Sequence, residues 1–268
     1  MAEKQLKDIL VIDDEQVILD SIIKIGKLDG LTVDPADNGK NALDFLEQSD
    51  YRLIISDIMM PVMDGFALLE ELAARNLYIP VVMTTGYSTI ENAVNSLYKG
   101  AIDFIPKPFS IEEISSVVAR GLKYYDVTQN RTSPLNDGDA SGFVPCPDKY
   151  YRIGYSSWVY YAGKKSVVVG VTDLFNKTID TIRKIDLIET GGQVSQAGLA
   201  LKIETENDLV HQIYSPVSGK ILAYNEKVLS DFSLIEKDPY FEGWIYQIEP
   251  DDFENEIKNL IPSSTDRV

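Results

Sequence analysis

Residues 53–57 read Leu-Ile-Ile-Ser-Asp, an apolar run that ends on the pair Ser56-Asp57. Three successive apolar residues without polar alternation predict a strand buried on both faces, as in a parallel sheet covered by helices. Working outward, similar β-branched runs recur at 8–12, 31–34, 80–84 and 102–105. Helical periodicity fills the gaps at 15–28, 39–48, 64–75, 88–99 and 110–124. Five strands alternating with five helices predict an α/β unit with a doubly wound, five-stranded parallel sheet.

In such a sheet, functional residues gather at the carboxyl ends of the strands. The first strand runs into Asp13-Asp14, and the third into Ser56-Asp57. The fourth ends at Thr84-Thr85-Gly86, and the fifth near Pro106-Lys107-Pro108. Neighbouring strands therefore bring three carboxylates, a hydroxyl and an ammonium together. Clustered carboxylates repel one another and call for a cation, and hard oxygen ligands with open positions suit Mg²⁺. A carboxylate can also act as a nucleophile and become an aspartyl phosphate. Mg²⁺, a lysine and a hydroxyl donor then stabilise the charge on the transferring phosphoryl group. Taken singly, Asp-Asp after a strand is a helix cap, Thr-Gly a turn and Lys-Pro a solvated loop. In order and on the right strand ends, they point to one pocket.

Residues 6–125 closely resemble the response regulator receivers, a flavodoxin-like fold. Asp13-Asp14 matches the family's acidic pair, and Ser56-Asp57-Ile58-Met59-Met60-Pro61-Val62-Met63-Asp64-Gly65 its phosphoacceptor motif. Thr85-Gly86 and Lys107-Pro108 match its hydroxyl residue and its lysine with a cis proline. The resemblance implies phosphorylation of Asp57 by a sensor histidine kinase. It implies Mg²⁺ held by Asp14, Asp57 and the Met59 backbone carbonyl, with Asp13 assisting. It further implies that Lys107 and Thr85 hold the phosphoryl oxygens, and that Phe104 is the switch aromatic. A surface over residues 91–124 is the implied relay or homodimer face. On this reading the protein signals rather than catalyses turnover of a substrate.

The chain has 268 residues and a formal net charge of −17. The acidity is shared, with 20 acids against 11 bases in residues 1–125 and 22 against 14 in residues 126–268. Nucleic-acid binding needs a basic face, and no Lys/Arg-rich run is present, so no nucleic-acid partner is expected. The one cysteine, Cys146, and the one histidine, His211, leave no Cys–His metal cluster. Cys146 reads as a small residue at the edge of a linker, and His211 as a packed or solvated strand residue. No stretch approaches the ~18 apolar residues of a membrane span, so a cytoplasmic protein is expected.

Residues 126–147, with Thr-Ser-Pro-Leu-Asn-Asp-Gly-Asp-Ala-Ser-Gly, read as a linker between domains at 1–125 and 148–268. Beyond it, short strand-like runs such as Ser166-Val167-Val168-Val169-Gly170-Val171 predict a mostly β sandwich or flattened barrel, with helical stretches near 173–180, 226–235 and 251–260. Trp158, Val169-Gly170-Val171-Thr172-Asp173, Ile213-Tyr214-Ser215-Pro216-Val217-Ser218-Gly219, Asn225-Glu226 and Asp238-Pro239-Tyr240-Phe241-Glu242-Gly243-Trp244-Ile245 carry a resemblance. The family is the H protein of the glycine cleavage system, a lipoyl carrier. Its lipoyl lysine belongs at the tip of a tight hairpin. Here Asp208 stands at that position, within Glu204-Thr205-Glu206-Asn207-Asp208-Leu209. Lys202 and Lys220 lie off the tip, so no lipoate is expected. The domain then reads as an output module for an unknown protein partner. The alternative is a domain that remains a lipoyl carrier or regulates lipoyl and glycine-cleavage enzymes.

Overall fold

A computed structural model describes residues 4–86, 89–129, 142–163 and 165–263. The chain divides into two compact units.

The first unit begins with β1 (Gln5–Ile12), α1 (Gln16–Leu28), β2 (Val33–Ala36), α2 (Gly39–Gln48) and β3 (Ser49–Asp57). Along the chain follow α3 (Gly65–Ala74), β4 (Val81–Thr85), α4 (Ile90–Tyr98), which is grouped with the second unit, then β5 (Asp103–Pro106) and α5 (Ile111–Gln129). The five strands form one parallel sheet in the order β2-β1-β3-β4-β5. Ile9, Leu10, Val11, Ile12, Leu53, Ile54 and Ile55 are all buried. Consecutive buried residues mean that both faces of β1 and β3 are covered, as their unbroken apolar texture predicts. Asn38 and Asp64 cap α2 and α3, their side chains accepting from the Asn41 and Ala67 backbone N–H groups.

The expected boundaries hold to within a few residues except at α5. That helix runs to Gln129, so the proposed linker loses residues 126–129 to the helix. The cause is Arg52 on β3. Its guanidinium takes Asp126 with two contacts of 2.9 and 2.8 Å, takes Asp8 at 3.0 Å, and lies 6.0 Å from the centre of the Tyr125 ring. One terminal nitrogen of the guanidinium reaches both oxygens of Asp126 while the other takes Asp8, so the arginine joins the helix end to β1. The rest of the proposed linker, 130–141, lies outside the described residues.

The second unit contains β6 (Tyr150–Ile153), β7 (Ser157–Gly163), β8 (Ser166–Val171), α6 (Asp173–Thr178), β9 (Ile182–Leu187) and β10 (Gln193–Val194). There follow β11 (Leu199–Thr205), β12 (Val210–Tyr214), β13 (Gly219–Tyr224), α7 (Glu226–Ser230) and α8 (Ser233–Lys237). The last elements are β14 (Tyr246–Pro250), α9 (Phe253–Glu256), a 3₁₀ turn over Ile257–Asn259 and β15 (Ile261–Pro262). A seven-stranded sheet, β10-β13-β14-β8-β7-β6-β15, accompanies a three-stranded one, β12-β11-β9. Tyr246 ties them: its hydroxyl donates to the Ala200 carbonyl at 3.1 Å and accepts from the Ile188 N–H at 2.8 Å. Trp158 is buried against Gly170, where a β-carbon would fall 2.4 Å from its ring. Its indole N–H donates to the Val171 carbonyl at 2.8 Å.

Residues 144–147 belong to this unit rather than to a free linker. Asp173 accepts from the Val144 N–H at 2.7 Å, and the Tyr240 hydroxyl donates to the Val144 carbonyl at 2.7 Å. Ser263 donates to the Pro147 carbonyl at 2.7 Å. Cys146 is therefore not a linker-edge residue. It is 2 % exposed, in an aromatic cluster with Tyr150, Trp158 and Tyr240. This strap was invisible to composition because Phe143-Val144-Pro145-Cys146 looks like the end of a breaker-rich stretch.

Candidate functional site

Strand register assembles the pocket of the first unit. Ile12 pairs with Ser56, Asp57 with Thr84, and Thr85 with Pro106. Asp13, Asp57, Thr85 and Lys107 thus all stand at the carboxyl edge of adjacent strands. The Lys107 N–H donates to the Thr85 carbonyl at 2.8 Å, and the Lys107–Pro108 peptide is cis. Gly65 is required where α3 begins, because a β-carbon there would lie 2.3 Å from the Asp57 carbonyl oxygen.

Lys107 is the hub. Its ammonium lies 2.7 Å from Asp13, 3.1 Å from Asp57 and 3.2 Å from Glu15. Burial raises the protonation range of Asp57 and of Asp13, and Lys107 opposes both shifts. Burial disfavours the ammonium, but Asp13 and Asp57 outweigh it and hold Lys107 above the usual lysine range.

Asp13, Asp14 and Asp57 each offer one oxygen, all within 4.8 Å of one another. Opposite ligands of an octahedral Mg²⁺ stand about 4.2 Å apart, given metal–oxygen distances near 2.1 Å. Asp57 Oδ1 is buried with no hydrogen-bond partner among the described residues. A buried carboxylate oxygen without a hydrogen-bond partner, in a residue clustered with two further carboxylates, fits a hard cation. Met59 lies two positions past Asp57 on the loop leaving β3, a loop in which Val62 adopts φ +69°. Thr85 and Phe104 are both buried, Phe104 opposite Met83. The residue missed at the sequence level is Glu15. Its only signal was its place directly after Asp13-Asp14.

In the second unit, Asp208 stands on the β11–β12 hairpin turn with φ +63°. Its carboxylate pairs with Arg183 on β9 at 2.8 Å, and Arg183 also pairs with Glu204. Lys202 lies within the central strand β11, between Gln212 and Asp186. Lys220 opens β13, paired to Gln193 and Glu249. Neither is at the tip. His211 is buried on β12, edge-on to Phe175.

Residues 9–119 match the family of the response regulator receiver domain, and residues 149–266 that of the glycine cleavage H-protein. The DNA-binding transcriptional regulator NtrC of Klebsiella pneumoniae is 35% identical over 127 residues, which are 46% of this chain and 27% of that protein. The regulatory protein AtoC of Escherichia coli is 34% identical over 115 residues, 43% of this chain and 25% of that one. This chain therefore spans about a quarter of the length of these curated relatives. Among solved structures, the receiver domain of NtrX from Brucella abortus is 37% identical, covers 43% of this chain and 98% of its own, and gives a TM-score of 0.42. Residues 9–119, which carry the doubly wound sheet of the first unit, thus match the response regulator receiver domain. The chain as a whole joins that receiver to a glycine cleavage H-protein-like domain. Among the described residues, no helix is long and apolar enough to cross a membrane.

Proposed function

We propose that Asp57 accepts a phosphoryl group from a sensor histidine kinase and that the receiver relays this state to the H-like domain. The observation that carries the reading is Asp57 itself, with one oxygen on Lys107, the other without a hydrogen-bond partner, and the carboxylates of Asp13 and Asp14 beside it. Asp13, Asp14, Asp57 and the Met59 carbonyl would hold Mg²⁺, which supplies charge neutralisation for the incoming phosphoryl group. Lys107 holds the carboxylate in place and meets a phosphoryl oxygen. Thr85 supplies a hydroxyl from the neighbouring strand end. Phe104 couples this event to packing: it lacks a phenol, so it reports by filling space. The surface over residues 91–124 is the relay or homodimer face. The test is Mg²⁺-dependent labelling by acetyl phosphate. The wild-type chain is expected to label and Asp57→Ala is not; labelling retained in that variant overturns the site. Phe104→Ala is expected to keep labelling while losing the difference between apo and phosphorylated states.

The H-like domain acts in this reading as an unlipoylated module that binds a protein partner, in a cytoplasmic signalling protein. The support is Asp208 at the hairpin turn, engaged with Arg183. The competing reading keeps a carrier or a regulator of lipoyl enzymes. Intact mass after co-expression with a lipoate ligase separates carrier from non-carrier, with no lipoyl increment expected.

A further inference from the structure

Glu15 sits at the N-cap position of α1, yet its side chain makes no capping hydrogen bond. Ser, Thr, Asp and Asn are the residues that cap well, and glutamate is not among them. Its carboxylate instead reaches Lys107, 92 positions along the chain, at 3.2 Å. An ammonium has three N–H groups. Lys107 meets three carboxylates, Asp13 at 2.7 Å, Asp57 at 3.1 Å and Glu15 at 3.2 Å. Three anions of the chain itself thus surround the ammonium, and Glu15 and Asp57 each accept one of its N–H groups.

A phosphoryl group arriving on Asp57 needs one of those N–H groups, so one carboxylate must yield. Asp13 is the shortest contact, and its side chain is 1 % exposed. Losing the ammonium would leave it buried and unpaired, which is costly. Asp57 is the acceptor. Glu15 has the longest contact and its side chain is 58 % exposed, so water replaces the lysine at little cost. We propose that Glu15 is a positioning residue for phosphoryl transfer, which occupies one donor of Lys107 in the resting pocket and must release it for the phosphoryl group to bind. It restrains the reaction in the absence of donor and sets its rate. This inference rests on Asp57 being the phosphoacceptor.

The experiment measures the rate of labelling of the full chain by acetyl phosphate at saturating Mg²⁺, in wild type, Glu15→Gln and Glu15→Asp. Gln keeps the reach and removes the charge; Asp keeps the charge and is one methylene too short for the contact. Both variants are expected to label about three- to fivefold faster, the scale of one exposed ion pair released. A merely structural role would not make two chemically opposite substitutions accelerate the same step. Wild-type rates in both variants, or slower rates in both, overturn the inference alone. A fast Glu15→Gln beside a wild-type Glu15→Asp overturns it too, because the charge and not the contact would then govern. A wild-type chain that takes no label overturns the phosphoacceptor reading and this inference with it.

Discussion

Asp13 and Asp57 have protonation ranges raised by burial. A carboxylate whose folded value lies above its unfolded value binds more protons when native, so its contribution to stability falls as pH rises through the raised range. The metal-free receiver is therefore expected to gain stability from these two groups as pH is lowered toward that range. Mg²⁺ requires both carboxylates ionised, so its stabilising effect is expected to be larger at pH 7 than at pH 5. Thermal denaturation with and without Mg²⁺ at the two pH values checks both signs. An equal Mg²⁺ effect at both would mean that these aspartates are not the ligands. At this scale the sequence was informative because Asp13, Asp14, Asp57, Thr85 and Lys107 sit at ends of apolar runs, and strand ends are what the topology gathers. Glu15 was opaque for a physical reason: its partner lies 92 positions away, and no local pattern announces where a flexible side chain points.

Elements are held by long-range polar pairs that periodicity does not reveal. Arg120 on α5 donates to Asp103 on β5, and both side chains are buried. Asp103 also accepts from the Phe104 N–H at 2.9 Å. Removing one partner of a buried pair leaves an uncompensated charge, so Arg120→Ala is expected to destabilise the receiver by about 3–5 kcal/mol in urea denaturation. In the second unit, Gly170→Ala places a methyl 2.4 Å from the Trp158 ring. Overpacking of that kind costs roughly 1–3 kcal/mol, and a matching loss of stability with an altered Trp158 emission is expected. The apolar and alternating textures marked most of these strands and helices. The C-terminal turn of α5 escaped because Arg52, Asp8 and Asp126 secure it through space rather than through helical pattern.

For the molecule as a whole, the division into two units was legible from the change of texture near residue 126, but the edges were not. The strap at 144–147 is polar-bonded through its backbone and buries Cys146, none of which its composition signals. A fragment beginning at residue 142 is expected to be more stable than one beginning at residue 148. The shorter fragment loses the partners of Asp173, Tyr240 and Ser263 and opens the aromatic cluster around Cys146. Three hydrogen bonds at about 1 kcal/mol each set the scale of the loss, and comparing the two melting curves measures it. Equal melting temperatures would show the strap to be dispensable.

The hairpin residue Asp208 sets which charge the β11–β12 turn accepts. A left-handed backbone suits Asp, Asn and Gly better than longer side chains. Arg183, 2.8 Å away, rewards a negative charge there and would repel a positive one. Putting a lysine at 208 would thus meet both a backbone and a neighbour that disfavour it. The hairpin tip is thus tuned to one sign of charge: the backbone at 208 and the guanidinium beside it favour a short acid over a long base.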